Sequence, residues 1–185
     1  MNDSEAPIYE ALYGFDRKTT SVLTVSALFS VLLLVPSLNI PLGLRIVGLL
    51  LFGGGGLLMA AGALTRKTAF RVDATGILLG GSPVRYRGTT AHVPWQDITA
   101  VVLWQQPVPH SVLLWVGVAR REGAPPLPGS GQGRIARSIG EALTPVSAEL
   151  LVASRAVNGW RLDLSRLTTA VEYFAPGVQV VEYTT

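Results

Sequence analysis

The side chains with the most chemical potential lie scattered along this chain. His92 and His110 are far apart and lack the helical H-x-x-x-H spacing of a zinc site. There is no cysteine, which excludes disulfides, thiol catalysis and Cys-ligated metal. Gly129-Ser130-Gly131 is loop sequence without the G-x-S-x-G elbow of a serine nucleophile. The run Gly53-Gly54-Gly55-Gly56 lacks the Lys-Ser/Thr that completes a phosphate loop. Nor is there a carboxylate pair suited to acid–base work. The expectation is a chain with no catalytic residue, metal or cofactor. A deep pocket gathering His92, Asp97 and an arginine would reverse it.

Basic residues offer a different chemistry. Lys67 and Arg71 follow a long apolar run, and Arg85 and Arg87 stand two apart in a segment expected to be extended, on one face of a strand. Guanidinium pairs can fork onto a phosphate, so these four are candidate contacts for an anionic lipid headgroup or a partner. A solvated strand face beside basic membrane flanks is the simpler reading, since the positive-inside rule alone accounts for Lys67 and Arg71. The portion from residue 66 onward carries 12 Lys/Arg against 8 Asp/Glu, well short of a nucleic-acid-binding composition. Trp95 and Asp97 flank a tight turn, read either as a recognition corner or as structure. In the structural reading Trp95 packs on the core and Asp97 bonds nearby amides.

Two uncharged runs must position all of this. Residues 19–39 and 46–65 are each about 20 residues long, enough at about 1.5 Å per residue to cross the roughly 30 Å of bilayer hydrocarbon. The whole chain of 185 residues is 49% hydrophobic, and the apolar excess falls before residue 66. Asp3, Glu5, Glu10 and Asp16 precede the first run, which is longer than a signal core and followed closely by the second. A retained span is expected, not a cleaved leader. Arg17 and Lys18 precede the pair and Arg66, Lys67 and Arg71 follow it, against Arg45 alone in the connector. The positive-inside rule then predicts both termini in the cytosol. Gly48, Gly55 and Gly62 recur every seven residues on one helical face, and Ser26 and Ser30 offer a small face on the first run. The two faces are expected to meet in an antiparallel hairpin, the alternative being that the glycines loosen or kink the second helix. Neither run contains an ionisable residue, which argues against an ion or proton path.

Beyond Lys67 short β-like segments alternate with turns. Residues 70–73 and 77–79 read as a hairpin, 85–93 as a polar strand, and 98–104 and 112–118 as the two strongest strands. Residues 122–133, rich in Pro and Gly, read as a loop. Ile135, Ile139, Ala142 and Leu143 have helical spacing, and 148–157 fits helix or strand. Asp163 is a good N-cap for an amphipathic helix on Leu164, Leu167, Ala170, Val171 and Phe174, stopped by Pro176-Gly177. Residues 178–181 could add a strand. The domains expected are an N-terminal segment (1–18), the hairpin (19–65) and one globular domain (66–185).

The Arg-Val-Asp-Ala-Thr-Gly-Ile strand and turn after a two-helix hairpin, the block from Val93 to Ile98, and the Gly159-Trp160-Arg161-Leu162-Asp163 lead into a helix ending Ala175-Pro176-Gly177 together resemble the bacterial pleckstrin-homology-like membrane proteins of actinobacterial type. That resemblance spans most of residues 1–183. It implies an α+β fold, a small antiparallel β-barrel or sandwich capped by a C-terminal helix, in the bacterial plasma membrane and facing the cytosol, with Trp95, Asp97, Trp160 and Asp163 as structural residues. The function expected is a membrane-anchored binding or scaffold module without catalytic activity. Its partner would be a protein, a peptide at a sheet edge or a lipid headgroup. The alternative is an accessory subunit of a larger membrane complex.

Overall fold

Tyr9 and Ala11 are buried while Glu10 and Leu12 are exposed, and this alternation marks Tyr9–Leu12 as a strand, β1. The computed structural model describes residues 7–108, 111–128 and 146–183. In it β1 pairs antiparallel with β2 (Thr68–Asp73), although two long helices, α1 (Arg17–Leu34) and α2 (Leu42–Leu64), separate them in sequence. β2 turns into β3 (Gly76–Leu79). A short helix, α3 (Tyr86–Thr89), leads on to β4 (Ala91–Pro94), completing the sheet order β1-β2-β3-β4.

The second sheet is built from β5 (Ile98–Val108), β6 (Ser111–Arg120), β7 (Ser154–Ala156) and β8 (Gln179–Tyr183), in the order β7-β6-β5-β8. Helix α4 (Ala148–Val152) precedes β7, so the ambiguous stretch 148–157 is helix and then strand. Helix α5 (Leu164–Phe174) precedes β8. Asp163 caps α5 as expected, its Oδ1 accepting from Arg166 N. Not all pairings are antiparallel: β8 runs parallel to β5. The crossover through α5 returns the chain to the end where β5 begins, and such a connection yields a parallel neighbour. Among the described residues the two sheets share no ladder, so they form an open α+β arrangement and not a closed barrel.

Inward residues line up across the ladders. Tyr9 faces Val72, Phe70 faces Leu79 and Ile77 faces Val93 in the first sheet; Val101 faces Val118 and Leu103 faces Val116 in the second. These side chains, with Leu167, Ala170 and Val171 of α5, form one core between the sheets. Trp160 stacks on Phe70 at 6.2 Å between ring centroids, and its Nε1 donates to Ala156 O at 2.9 Å. Leu127, inside the segment read as a loop, plugs into the same core. On the outer face of β5, Val102 and Trp104 pack with Trp115, Leu150 and Leu151 in a second cluster. His110, Ser130 and the helix suggested at Ile135, Ile139, Ala142 and Leu143 lie outside the described residues.

Both long helices are apolar enough to cross a membrane, and in the most apolar 18-residue window of each only 11% is buried. They are therefore not core helices of the domain. α1 ends at Leu34, short of the expected residue 39, because Pro36 starts a 3₁₀ turn. α2 starts at Leu42, directly after Pro41 and ahead of the expected residue 46. Arg45 reaches back to α1, its Nη2 donating to Val35 O at 3.3 Å.

The glycine face differs from the seven-residue repeat. Leu49–Gly54 form a π-helical segment within α2. Its wider turn takes up an extra residue and rotates everything after it, so the repeat loses phase. Gly48 still packs on Leu33, but a Cβ on Gly56, not on Gly55, would meet Ser26 Cβ at 3.2 Å. Gly53 lies beside Ser30, Gly55 faces open space, and Gly62 lies against Pro83 of the domain. Phe29 and Phe52 stack at 4.8 Å across the hairpin. A Gly56→Leu variant should therefore destabilise the hairpin by about 1–3 kcal/mol through overpacking. Gly55→Leu should change stability by less than about 0.5 kcal/mol. Thermal melts of the two variants in mild detergent check the contrast.

Residues 9–14 are hydrogen-bonded into the domain. Tyr13 N donates to Lys67 O at 2.9 Å and Gly14 N to Gly159 O at 2.7 Å, so the hairpin is an insertion between two neighbouring strands. Both of its ends emerge on the same side, next to each other.

Candidate functional site

The end of α2 meets the domain at a sharp corner. Arg66 adopts a left-handed conformation (φ 46°) and sends the chain directly into β2. The segment after β3, read from sequence as the start of an extended strand at Arg85, is helical instead. Pro83–Arg85 form a 3₁₀ turn that runs into α3, and β4 keeps only Ala91–Pro94. Two hydroxyls make the helical form pay. Thr89 Oγ1 donates to Arg85 O and Thr90 Oγ1 to Tyr86 O, while the same oxygens accept from Ser82 N and Gly81 N.

This geometry separates the four basic candidates. Lys67 Nζ donates to Pro83 O at 3.2 Å and sits 5.1 Å from the Tyr86 ring centroid, so its charge holds the turn against the end of the span. Arg71 pairs with Asp73 at 3.0 Å. Arg85 and Arg87 are exposed, but two positions apart in a helical turn they do not face each other, so they form no ready fork for one phosphate.

Trp95 lies partly buried against the core, and its Nε1 donates to Asp73 O at 2.9 Å. At the same turn Asp97 uses its main-chain carbonyl, which accepts from Arg121 N at 2.9 Å. Among the described residues no bond from a backbone amide to the Asp97 carboxylate accompanies it, so the expected Asx-type closure is replaced by a backbone bond.

His92 belongs to a surface chain of bonds. Thr75 Oγ1 donates to Asp73 Oδ1 at 2.6 Å and lies 3.0 Å from His92 Nε2. With the hydroxyl proton directed at Asp73, Nε2–H is the donor to Thr75. That polarity is opposite to a nucleophile–base pair, in which the imidazole accepts the hydroxyl proton. Burial pushes the Asp73 carboxyl upward, but the Thr75 hydroxyl and amide bonds, with the charges of Arg71 and His92, hold it below its ordinary value. A depressed folded-state value contributes stability above the ordinary carboxylate range, and that contribution disappears as pH falls through it. Below about pH 4, wild type should lose its stability advantage over Asp73→Asn, as denaturant midpoints between pH 3 and pH 7 will report.

One concave feature lies at the junction itself. A cavity of about 460 Å³ is bounded by Leu58, Met59, Gly62 and Ala63 of α2, by Tyr13 and Thr19, by Ser82 and Pro83, and by Trp115, Ser154, Arg155 and Asn158 of the domain. Its volume falls within the range of small-molecule sites. Neither His92 nor Asp97 lines it.

Arg155 dominates the domain wall and was not foreseen from sequence. Its guanidinium donates to five main-chain carbonyls: Gly80 at 2.6 Å, Ser154 and Thr89 at 2.8 Å, Val152 at 3.1 Å and Leu79 at 3.5 Å. These acceptors come from β3, the end of α3, α4 and β7, so one side chain ties the two sheets together. A guanidinium has five N–H groups, and all are engaged. Among the described residues no carboxylate pairs with it. Burial lowers its pKa, with Tyr13 acting in the opposite sense. A lone arginine in a three-residue strand, with no acidic neighbour in sequence, gives no signal of this role.

Thr19 is the second unforeseen residue. It is 1% exposed, lines the cavity, and its Oγ1 has no hydrogen-bond partner among the described residues. The nearby hydroxyls of Ser21 and Thr24 bond back to their own helix, whereas Thr19 does not. Burial raises the Tyr13 pKa, with Arg155 opposing, so the Tyr13 phenol is a neutral donor at ordinary pH.

No family model, curated protein or solved structure matches this chain.

Proposed function

We propose that this protein is a membrane-anchored binding module without catalytic activity, a pleckstrin-homology-like domain held against the cytoplasmic face of a bacterial plasma membrane. The observation that carries this reading is the insertion of the apolar hairpin between hydrogen-bonded strands β1 and β2. A domain tethered at two adjacent points has a restricted orientation to the bilayer, and its local concentration there raises the effect of weak contacts. The pleckstrin-homology-like assignment draws on four antiparallel strands, three more, and a helix that packs between the sheets. The basic flanks Arg17, Lys18, Arg66 and Lys67 support the cytosolic orientation.

The test combines membrane extraction with a reporter. Resistance to alkaline carbonate and a C-terminal reporter active in the cytosol agree with the proposal. Recovery in the soluble fraction, or a reporter active outside the cell, overturns it.

A second reading, an accessory subunit, is favoured by the open space beside Gly54 and Gly55 on the outer side of α2, where a foreign helix could approach closely. The chain has no native cysteine to interfere with crosslinking. A Ser26→Cys/Gly56→Cys pair should bridge within the chain under either reading, and Gly55→Cys should bridge to another protein under the second alone.

A further inference from the structure

The cavity at the junction has two kinds of wall. Leu58 and Met59 form the hairpin side, and Leu58 is also 61% exposed on the outer apolar surface of α2. The cavity lining is thus continuous with the surface that lipid would cover. The rest of the lining is more polar: Thr19 near the start of α1, whose hydroxyl has no partner among the described residues, with Tyr13, Asn158 and the Arg155 cation. A buried hydroxyl without a partner is costly unless something bonds to it. A site with an apolar wall open to the acyl region and a polar wall at the interface matches one kind of molecule.

We propose that this cavity holds a single membrane phospholipid drawn sideways from the adjoining leaflet. Its acyl chain lies along Leu58 and Met59, and an ester or phosphate oxygen accepts from the Thr19 hydroxyl. Arg155 contributes a positive field and no hydrogen bond, because its five N–H groups are already engaged. The inference rests on the membrane-anchored reading above and goes beyond it by naming the ligand and the site.

The test uses the full chain in nanodiscs of phosphatidylethanolamine and phosphatidylglycerol, transferred to mild detergent and examined by native mass spectrometry. One phospholipid should remain bound per wild-type chain. Thr19→Val keeps the shape and removes the donor, so retention should weaken about fivefold, the worth of one net hydrogen bond. Ala63→Phe puts a ring into the cavity and should abolish retention. Thermal melts show whether each variant is folded, and Thr19→Val keeps the test valid even if Ala63→Phe is not. Absence of bound lipid on wild type overturns the proposal, as does equal retention by wild type and Thr19→Val, or retention of a soluble fatty acid in place of phospholipid. Each of these results can occur in a chain that resists carbonate extraction, so failure here is distinguishable from failure of the membrane reading.

Discussion

Replacing Arg155 by alanine should lower the melting temperature of the detergent-solubilised chain by about 10 °C. The side chain donates to carbonyls of β3, α3, α4 and β7, and its removal leaves all five without that partner. Hydrogen bonds to a charged group are worth about 1.5–3 kcal/mol each when isolated. The five share one cation and some carbonyls will find water, so a net loss of about 3 kcal/mol is expected. For a chain of this size each kcal/mol moves the midpoint by about 2–4 °C. Arg155→Lys should recover less than half of the loss, because an ammonium has three donors and cannot span the same fork. Near-ultraviolet circular dichroism should show the same order, since Trp104 Nε1 donates to Ser154 Oγ beside the arginine. An alanine variant that melts with wild type would remove Arg155 as the tie between the sheets.

Cutting out the hairpin while keeping β1 should convert the protein into a folded, water-soluble domain. Tyr13 and Lys67 are already hydrogen-bonded, so a short turn in place of residues 15–66 would close β1 and β2 into an ordinary β-hairpin. Seventeen large apolar side chains that lie exposed between Val22 and Leu64 would leave with the insert. Residues 66–185 alone should behave differently. Without β1 the core loses Tyr9 and Ala11, β2 becomes an open edge, and Asp163 N loses the Tyr9 hydroxyl that accepts from it at 3.0 Å. Removing one large buried aromatic costs about 3–5 kcal/mol, comparable to the whole stability of a small domain. The shortcut chain should therefore elute as a monomer and melt cooperatively without detergent, and the truncated chain should aggregate. Cooperative folding of 66–185 would show that β1 is dispensable.

Much of this architecture is written in local patterns. Asp163 before a 3.6-residue apolar repeat specifies α5, because a cap and one apolar face act within a few residues. The β2–β3 turn and both apolar helices are local in the same way: length, composition and turn chemistry suffice. The glycine face was legible in kind and not in register, since the π-helical turn that replaces Gly55 by Gly56 beside Ser26 is chosen by packing against α1. Arg85 and Arg87 show the opposite failure. Their alternation suggested a strand, but Thr89 and Thr90 close a helical turn whose hydroxyls also serve Gly81 and Ser82.

Two rods too apolar for water, a mixed sheet-and-helix domain after them and one amphipathic helix near the end can all be read from local residue patterns. Long-range packing brings Tyr9–Leu12 into that domain across the inserted hairpin, gathers carbonyls around Arg155, and buries Thr19 at the cavity with no partner for its hydroxyl among the described residues. The difference is one of range. Caps, turns and apolar periodicity are settled between near neighbours, whereas strand partners, acceptors for a buried cation and the walls of a cavity come from segments that meet only when the chain has folded.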